Sequence, residues 1–131
     1  MTTTINASPS NGIVQTADGS GVLKVQSNGV TTNALAWVNF NGVSGSVAIR
    51  ASYNVSSITR TAAGQYTVSY TSALADANYA IAGSGGTPGS LNNAFSADYI
   101  GQRTTTACYV GTYNYGSWLD SSYVSVAIFG N

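Results

Sequence analysis

Two alternating runs joined at a glycine set the terms for this chain. Val55, Ser57 and Thr59 alternate with Ser56, Ile58 and Arg60, and Tyr66, Val68 and Tyr70 alternate with Thr67 and Ser69. Between the runs stands Thr61-Ala62-Ala63-Gly64. A period of two in β-branched and aromatic residues predicts two strands, each with one buried face. The glycine predicts a hairpin loop of about three to five residues, with positive φ taken where it costs least. No stretch shows a helical period with caps.

The same reading extends in both directions. Val47, Ile49, Ala51, Tyr53 and Val55 keep one phase and Ile58 leaves it, so a bulge or bend is expected within 54–57. In Trp37-Val38-Asn39-Phe40-Asn41-Gly42, Val38 and Phe40 share a face and Trp37 lies opposite as a core or interface anchor. Asp76 and Asn78 are placed to fix a corner by bonding to nearby backbone, and alternation resumes over 79–81. The run AGSGGTPGSLNN at 82–93 reads as an exposed loop, either a connector or a tip that touches a receptor. Phe95, Ala97 and Tyr99 then mark a strand, and 104–113 another, with Cys108 and Val110 in phase. Val124, Val126 and Ile128 line one face of a final strand whose other face is also apolar, as in a central strand or one covered by a neighbouring subunit.

About eight strands at roughly 8–12-residue spacing predict an all-β fold. The expected architecture is an antiparallel β-sandwich, jelly-roll-like, over 36–131. An extended N-terminal arm with short strands, 1–35, precedes it for attachment or intertwining. Residues 1–21 are too poor in apolar side chains to bury a core of their own.

Charge narrows the function. In 131 residues there are four Lys and Arg, four Asp, no Glu and no His, so 6% are charged and the net charge is zero. Soluble domains carry about a quarter. A surface of Ser, Thr, Asn, Gln and Gly lacks the repulsion that keeps monomers apart, which points to work in an assembly. No basic stripe exists for nucleic acid. No apolar run approaches the about 20 residues that span a membrane, and the N-terminus has no basic or apolar region of a signal peptide. Cys108 stands alone, and is expected as a small buried hydrophobe in a chain folded in a reducing cell.

Several motifs together carry a resemblance. W-V-N-F-N-G, A-I-R-A-S-Y-N-V-S-S-I-T, G-Q-Y-T-V-S-Y and D-A-N-Y-A, spread over 37–82, resemble a module of short bacteriophage virion proteins of the structural and tail-fibre kind. The opening segments TINAS, NGIV and GVLKVQSNG also resemble the starts of phage fibre proteins. The resemblance implies a homotrimeric tail-fibre component involved in host adsorption, assembled in the host cytoplasm and carried on the virion beside other virion proteins. A capsid decoration protein clamping capsomers is the alternative, suited to a small chain read as complete from Met1.

The residues offer no enzyme. Without histidine the usual general base, a Ser-His-Asp triad and histidine-ligated zinc are excluded. A glycosidase needs paired carboxyls, and only Asp98 and Asp120 lie on neighbouring aromatic-rich segments, where each reads as a turn or solvent-facing residue. No catalytic residue, cofactor or metal is expected. The remaining candidate is the aromatic-dense loop 113–120. There Tyr113, Tyr115 and Trp118, with Tyr109 nearby, can stack on sugar rings while Asn114, Ser117 and Asp120 bond to hydroxyls. This makes a glycan-binding module the third reading. The competing role for these rings is to fill a core or a subunit interface.

Overall fold

The computed structural model describes residues 25–89, 93–99 and 101–130, and among them there is no helix. A small hairpin, β1 (Gln26–Ser27) and β2 (Val30–Thr31), turns through Asn28 and Gly29, both at positive φ. Nine strands follow: β3 (Ala36–Asn41), β4 (Ala48–Tyr53), β5 (Val55–Ala62), β6 (Gln65–Tyr70), β7 (Ala80–Gly86), β8 (Ala94–Ala97), β9 (Ala107–Asn114), β10 (Ser117–Trp118) and β11 (Tyr123–Phe129). Of the N-terminal arm expected over 1–35, residues 1–24 lie outside the described residues.

The strands form an antiparallel β-sandwich, as expected. One sheet has the order β4-β3-β11-β7. In the other, β5, β6 and β9 lie side by side, β8 pairs with β9, and the short β10 folds back on β9. Thr112 shows how the last piece fits: its N–H donates to Gly64 O at 2.8 Å and its O accepts from Leu119 N–H at 3.0 Å. So β10 continues the line of β6 across the turn.

The alternation read from sequence decides which side chains fill the space between the sheets. Val38, Phe40, Val124, Val126 and Ile128 come from one sheet, and Tyr66, Val68, Cys108 and Val110 from the other, all buried. Phe40 meets Tyr66 edge-on, with ring centroids 5.1 Å apart at 76°. Each fully buried aliphatic or aromatic residue here stabilises the fold by about 1.5–3 kcal/mol. Leu35 is already in this core, so β3 starts just inside it.

The bend expected at 54–57 is Asn54, at φ 53°, which ends β4 and sends the chain into the opposite sheet. Its side chain holds the corner. Nδ2 donates to Leu35 O and Ser72 O, both at 3.2 Å, and Oδ1 accepts from Ser72 N–H at 2.8 Å. The register also shifts between Val55 and Ser57. At the next corner Asp76 Oδ1 accepts from Asn78 N–H at 2.6 Å.

Four expectations change. The hairpin loop is shorter, only Ala63 and Gly64, because a register shift between Arg60 and Ala62 absorbs the extra residue. Ile49 and Ala51 do not share a face, because a register shift across Arg50 puts Ile49 opposite Phe40 and Ala51 opposite Asn39. The 82–93 segment is not all loop: its first five residues belong to β7, which β11 pairs along its whole length. Neighbouring hydrogen bonds overrode a Gly-rich sequence with little strand preference. Finally, Trp37 is no core residue, since it is 40% exposed on the outer face. The expectation that β11 is central holds, with β3 on one side and β7 on the other.

Candidate functional site

The alternation of β9 builds an aromatic ledge on the outer face of the five-stranded sheet. Cys108, Val110 and Thr112 point inward and are buried. Tyr109, Gly111 and Tyr113 therefore face out. Gly111 leaves a gap in that row, and Trp118 fills it. A Cβ at Gly111 would stand 2.4 Å from the Trp118 ring, so only glycine lets the indole lie flat on the strand. The β9–β10 hairpin brings Trp118 opposite Tyr113 in register, with ring centroids 5.8 Å apart. Its turn residues, Tyr115 and Gly116, have φ of 47° and 81°, the twist that suits a two-residue hairpin. What reads as a loop at 113–120 is thus mostly a tight hairpin.

A third ring arrives from the other edge. Asp98, at φ 58°, ends β8 and turns the chain outward. Tyr99 then lies against Trp118, with centroids 4.1 Å apart at a 45° tilt. Tyr99 is 60% exposed and Tyr113 40%, while Trp118 is half-buried between them. Tyr115, 84% exposed, projects from the hairpin tip. The result is an uncharged shelf of mutually tilted rings, two on the β9–β10 hairpin and the third, Tyr99, just past the end of β8. Such rings can take the apolar C–H face of a pyranose, or a planar ring.

Of the residues expected at the site, Tyr113 and Trp118 come together, and Tyr115 flanks them at the tip. Asp120 does not belong to the ledge. It points away, into a junction of three chain segments. Arg60 Nε donates to Oδ1 at 2.9 Å and to Oδ2 at 3.1 Å. Gly64 N–H donates to Oδ1 at 2.7 Å and Ser44 N–H to Oδ2 at 3.1 Å. Tyr66 Oη lies 3.3 Å from Oδ1 and 3.1 Å from Gly42 O, placing its single proton between two acceptors. Burial raises the carboxyl's pKa, but the Arg60 hydrogen bond and the two backbone donors outweigh it, and the group is held below the usual carboxylate range. Its oxygens are spoken for, so Asp120 is a structural latch that fixes the hairpin carrying Trp118.

Tyr99 was missed because its spacing with Phe95 and Ala97 places it in strand phase. Only Asp98, a residue type that tolerates the left-handed region, hints that the strand stops there. Asp98 in turn accepts from Arg103 Nε at 2.9 Å, and Arg103 also donates to Tyr79 O. The two aspartates weighed as a catalytic pair are therefore each ion-paired with their own arginine.

Elsewhere, an open groove of about 420 Å³ runs beside β7, lined by residues 83–86 with Asn93, Phe95, Tyr123 and Ser125. Asn93 closes its floor, donating through Nδ2 to Ser121 Oγ at 2.6 Å. Cys108 is fully buried, and burial pushes its thiol up to about 11, which leaves it protonated and inert at neutral pH. Comparison of the chain with protein-family models, with curated proteins and with solved structures finds no match.

Proposed function

We propose that this chain is a non-enzymatic structural protein of a phage virion, a homotrimeric tail-fibre component that takes part in host adsorption. The observation that carries the adsorption part is the ledge of Tyr99, Trp118 and Tyr113, three mutually tilted rings in contact and open to solvent. The resemblance of 37–82 to virion proteins and the charge-poor composition support the structural part. The ligand suited to the ledge is a neutral sugar of the host surface, read by stacking rather than by ion pairing, since the nearby acids, Asp98 and Asp120, are each already paired with an arginine.

Immunogold labelling of intact particles with an antibody to this chain tests the location. Label at the tail tip or fibres supports the proposal. Label spread over the head favours capsid decoration instead, and absence of label from all particles removes the virion reading. Binding of the purified protein to host surface polysaccharide tests the ledge. Trp118→Ala and Tyr99→Ala are each expected to weaken binding by about 5- to 150-fold, as stacked rings worth about 1–3 kcal/mol do elsewhere. Unchanged binding by both folded variants would remove the ledge from adsorption.

A further inference from the structure

The ledge has a polar border, and β6 supplies it. Tyr66, Val68 and Tyr70 are buried, so Gln65, Thr67 and Ser69 stand on the outer face beside β9. Gln65 pairs with Gly111, the residue over which the Trp118 ring lies, and Thr67 pairs with Tyr109. Thr112 N–H donates to Gly64 O, which makes 64 and 112 a hydrogen-bonded pair. The pairs 65–111 and 67–109 are therefore of the closer, non-hydrogen-bonded kind, with Cα atoms about 4.5 Å apart. The Gln65 amide thus borders the indole, and the Thr67 hydroxyl borders the Tyr109 ring. On the other side of Gly111, β8 places Ser96 in the same row.

These polar groups are unspent. The side chains of Gln65, Thr67 and Ser96 bond to no other described residue. Polar side chains on the outer face of the four-stranded sheet behave differently. There Asn39 Nδ2 donates to Ser125 Oγ at 2.9 Å and Arg50 Nη2 to Ser122 O at 2.6 Å. A polar group that its own fold leaves unbonded beside an exposed ring can bond to a ligand by giving up only water. The border is also neutral, since β6 and β9 contain no charged residue.

We infer that the ledge takes a chain of at least two neutral sugars lying along β9, with the Gln65 amide and the Thr67 hydroxyl bonding to hydroxyls along its edge. The inference rests on the reading of the ledge as the adsorption surface and names the residues that select its ligand. Tyr109, half-buried, and Tyr113 are four residues apart on one strand, so their Cα atoms stand about 13 Å apart with the indole between them. That row is longer than one pyranose ring. Stacking alone accepts any apolar ring face. A primary amide adds a donor and an acceptor at a fixed place beside the rings, and a hydroxyl adds both in one atom. Together they favour one arrangement of sugar hydroxyls over its epimer, because a misplaced hydroxyl leaves a desolvated group without a partner.

The test is calorimetric titration of the full-length protein with fragments of the host surface polysaccharide, graded upward from the monosaccharide. Affinity is expected to rise at least about tenfold from one sugar to the longer fragments, as a further stacked ring adds. Gln65→Met and Thr67→Val keep the side-chain bulk and remove the polar atoms. Each is expected to weaken binding of the longer fragments about fivefold, or about 1 kcal/mol, with the melting temperature unchanged. Thr67→Ser, which returns the hydroxyl, is expected to restore it. Native affinity in either variant removes that residue from the edge. Native affinity in both, with Trp118→Ala still weakened, overturns the polar edge and leaves the ledge standing. Equal affinity for the monosaccharide and the longer fragments overturns the two-sugar extent. No binding by the native protein, or native binding by Trp118→Ala and Tyr99→Ala, overturns the ledge reading itself.

Discussion

Two arginine–aspartate clasps flank the aromatic ledge, and they are not equivalent. Arg60–Asp120 joins distant parts of the chain: its carboxylate gathers a backbone donor from 44, another from 64 and the Tyr66 hydroxyl, all beneath the hairpin that carries Trp118. Arg103–Asp98 spans five residues, beside the turn that carries Tyr99. At the first clasp both oxygens are bonded. At the second, the buried Oδ1 has no partner among the described residues. One side of the ledge is therefore fixed by the global fold and the other by a local staple. A ligand that shifts the ledge is expected to move Tyr99 more than Trp118.

The largest effect is expected beside the first clasp. Gly64 has φ 64°, and a Cβ there would stand 2.3 Å from Thr112 O and 2.6 Å from Leu119 N, both backbone atoms. Gly64→Ala should cost about 3 kcal/mol from strain and displaced backbone, lowering Tm by roughly 10 °C. Asp120→Ala should cost about 2 kcal/mol, because Gly64 N–H, Ser44 N–H and Arg60 all lose their acceptor at once. Asp98→Ala should cost about 1 kcal/mol, from loss of a partly exposed local pair together with alanine's poorer fit to the left-handed φ of 58°. Thermal or urea melts rank the three. Equal losses for the two aspartates would erase the distinction between the clasps.

Acid sharpens it further. Asp120 is held below its unfolded pKa, so its stabilisation is complete at neutral pH and is lost as pH falls below the unfolded value of about 3.9 and through the folded one. Urea midpoints from neutral pH downward should fall in the native protein, and Asp120→Asn should flatten that fall. A slope unchanged by the substitution would place the acid sensitivity elsewhere. The smallest signal is the labelling rate of Cys108 by a thiol reagent, slow because the thiol is buried and protonated. Asp120→Ala should speed it and Asp98→Ala should leave it nearly unchanged, if the first clasp governs opening of the sandwich.

Alternation made β6 and the last strand readable, because half-buried antiparallel strands write their burial into every second residue. In β5 only Val55 is buried and Ile58 and Arg60 are half-buried, so that strand was readable by its pairing with β6 rather than by a buried face. Alternation failed where backbone geometry departs from that period. Asp98 turned Tyr99 out of phase, and the shift at Arg50 put Ile49 and Ala51 on opposite faces. β7 was hidden for another reason: AIAGSGG has no strand preference of its own and becomes a strand because β11 supplies its hydrogen bonds. Tyr113 and Trp118 were legible as a pair through composition alone, but Asp120 was misplaced. Its partners lie 54 to 76 residues away in the chain, a separation no local pattern encodes.

The position of β11 between β3 and β7 has a consequence for how the molecule is made. Both neighbours leave the ribosome before it, β3 by some 80 residues, and neither touches the other in the finished sheet. Until β11 emerges, the nascent chain holds two unpaired edges and an aspartate latch without its aspartate. The sandwich therefore cannot close before β11 has emerged. Such late, long-range closure makes for slow folding and a need for protection from neighbouring unfinished chains.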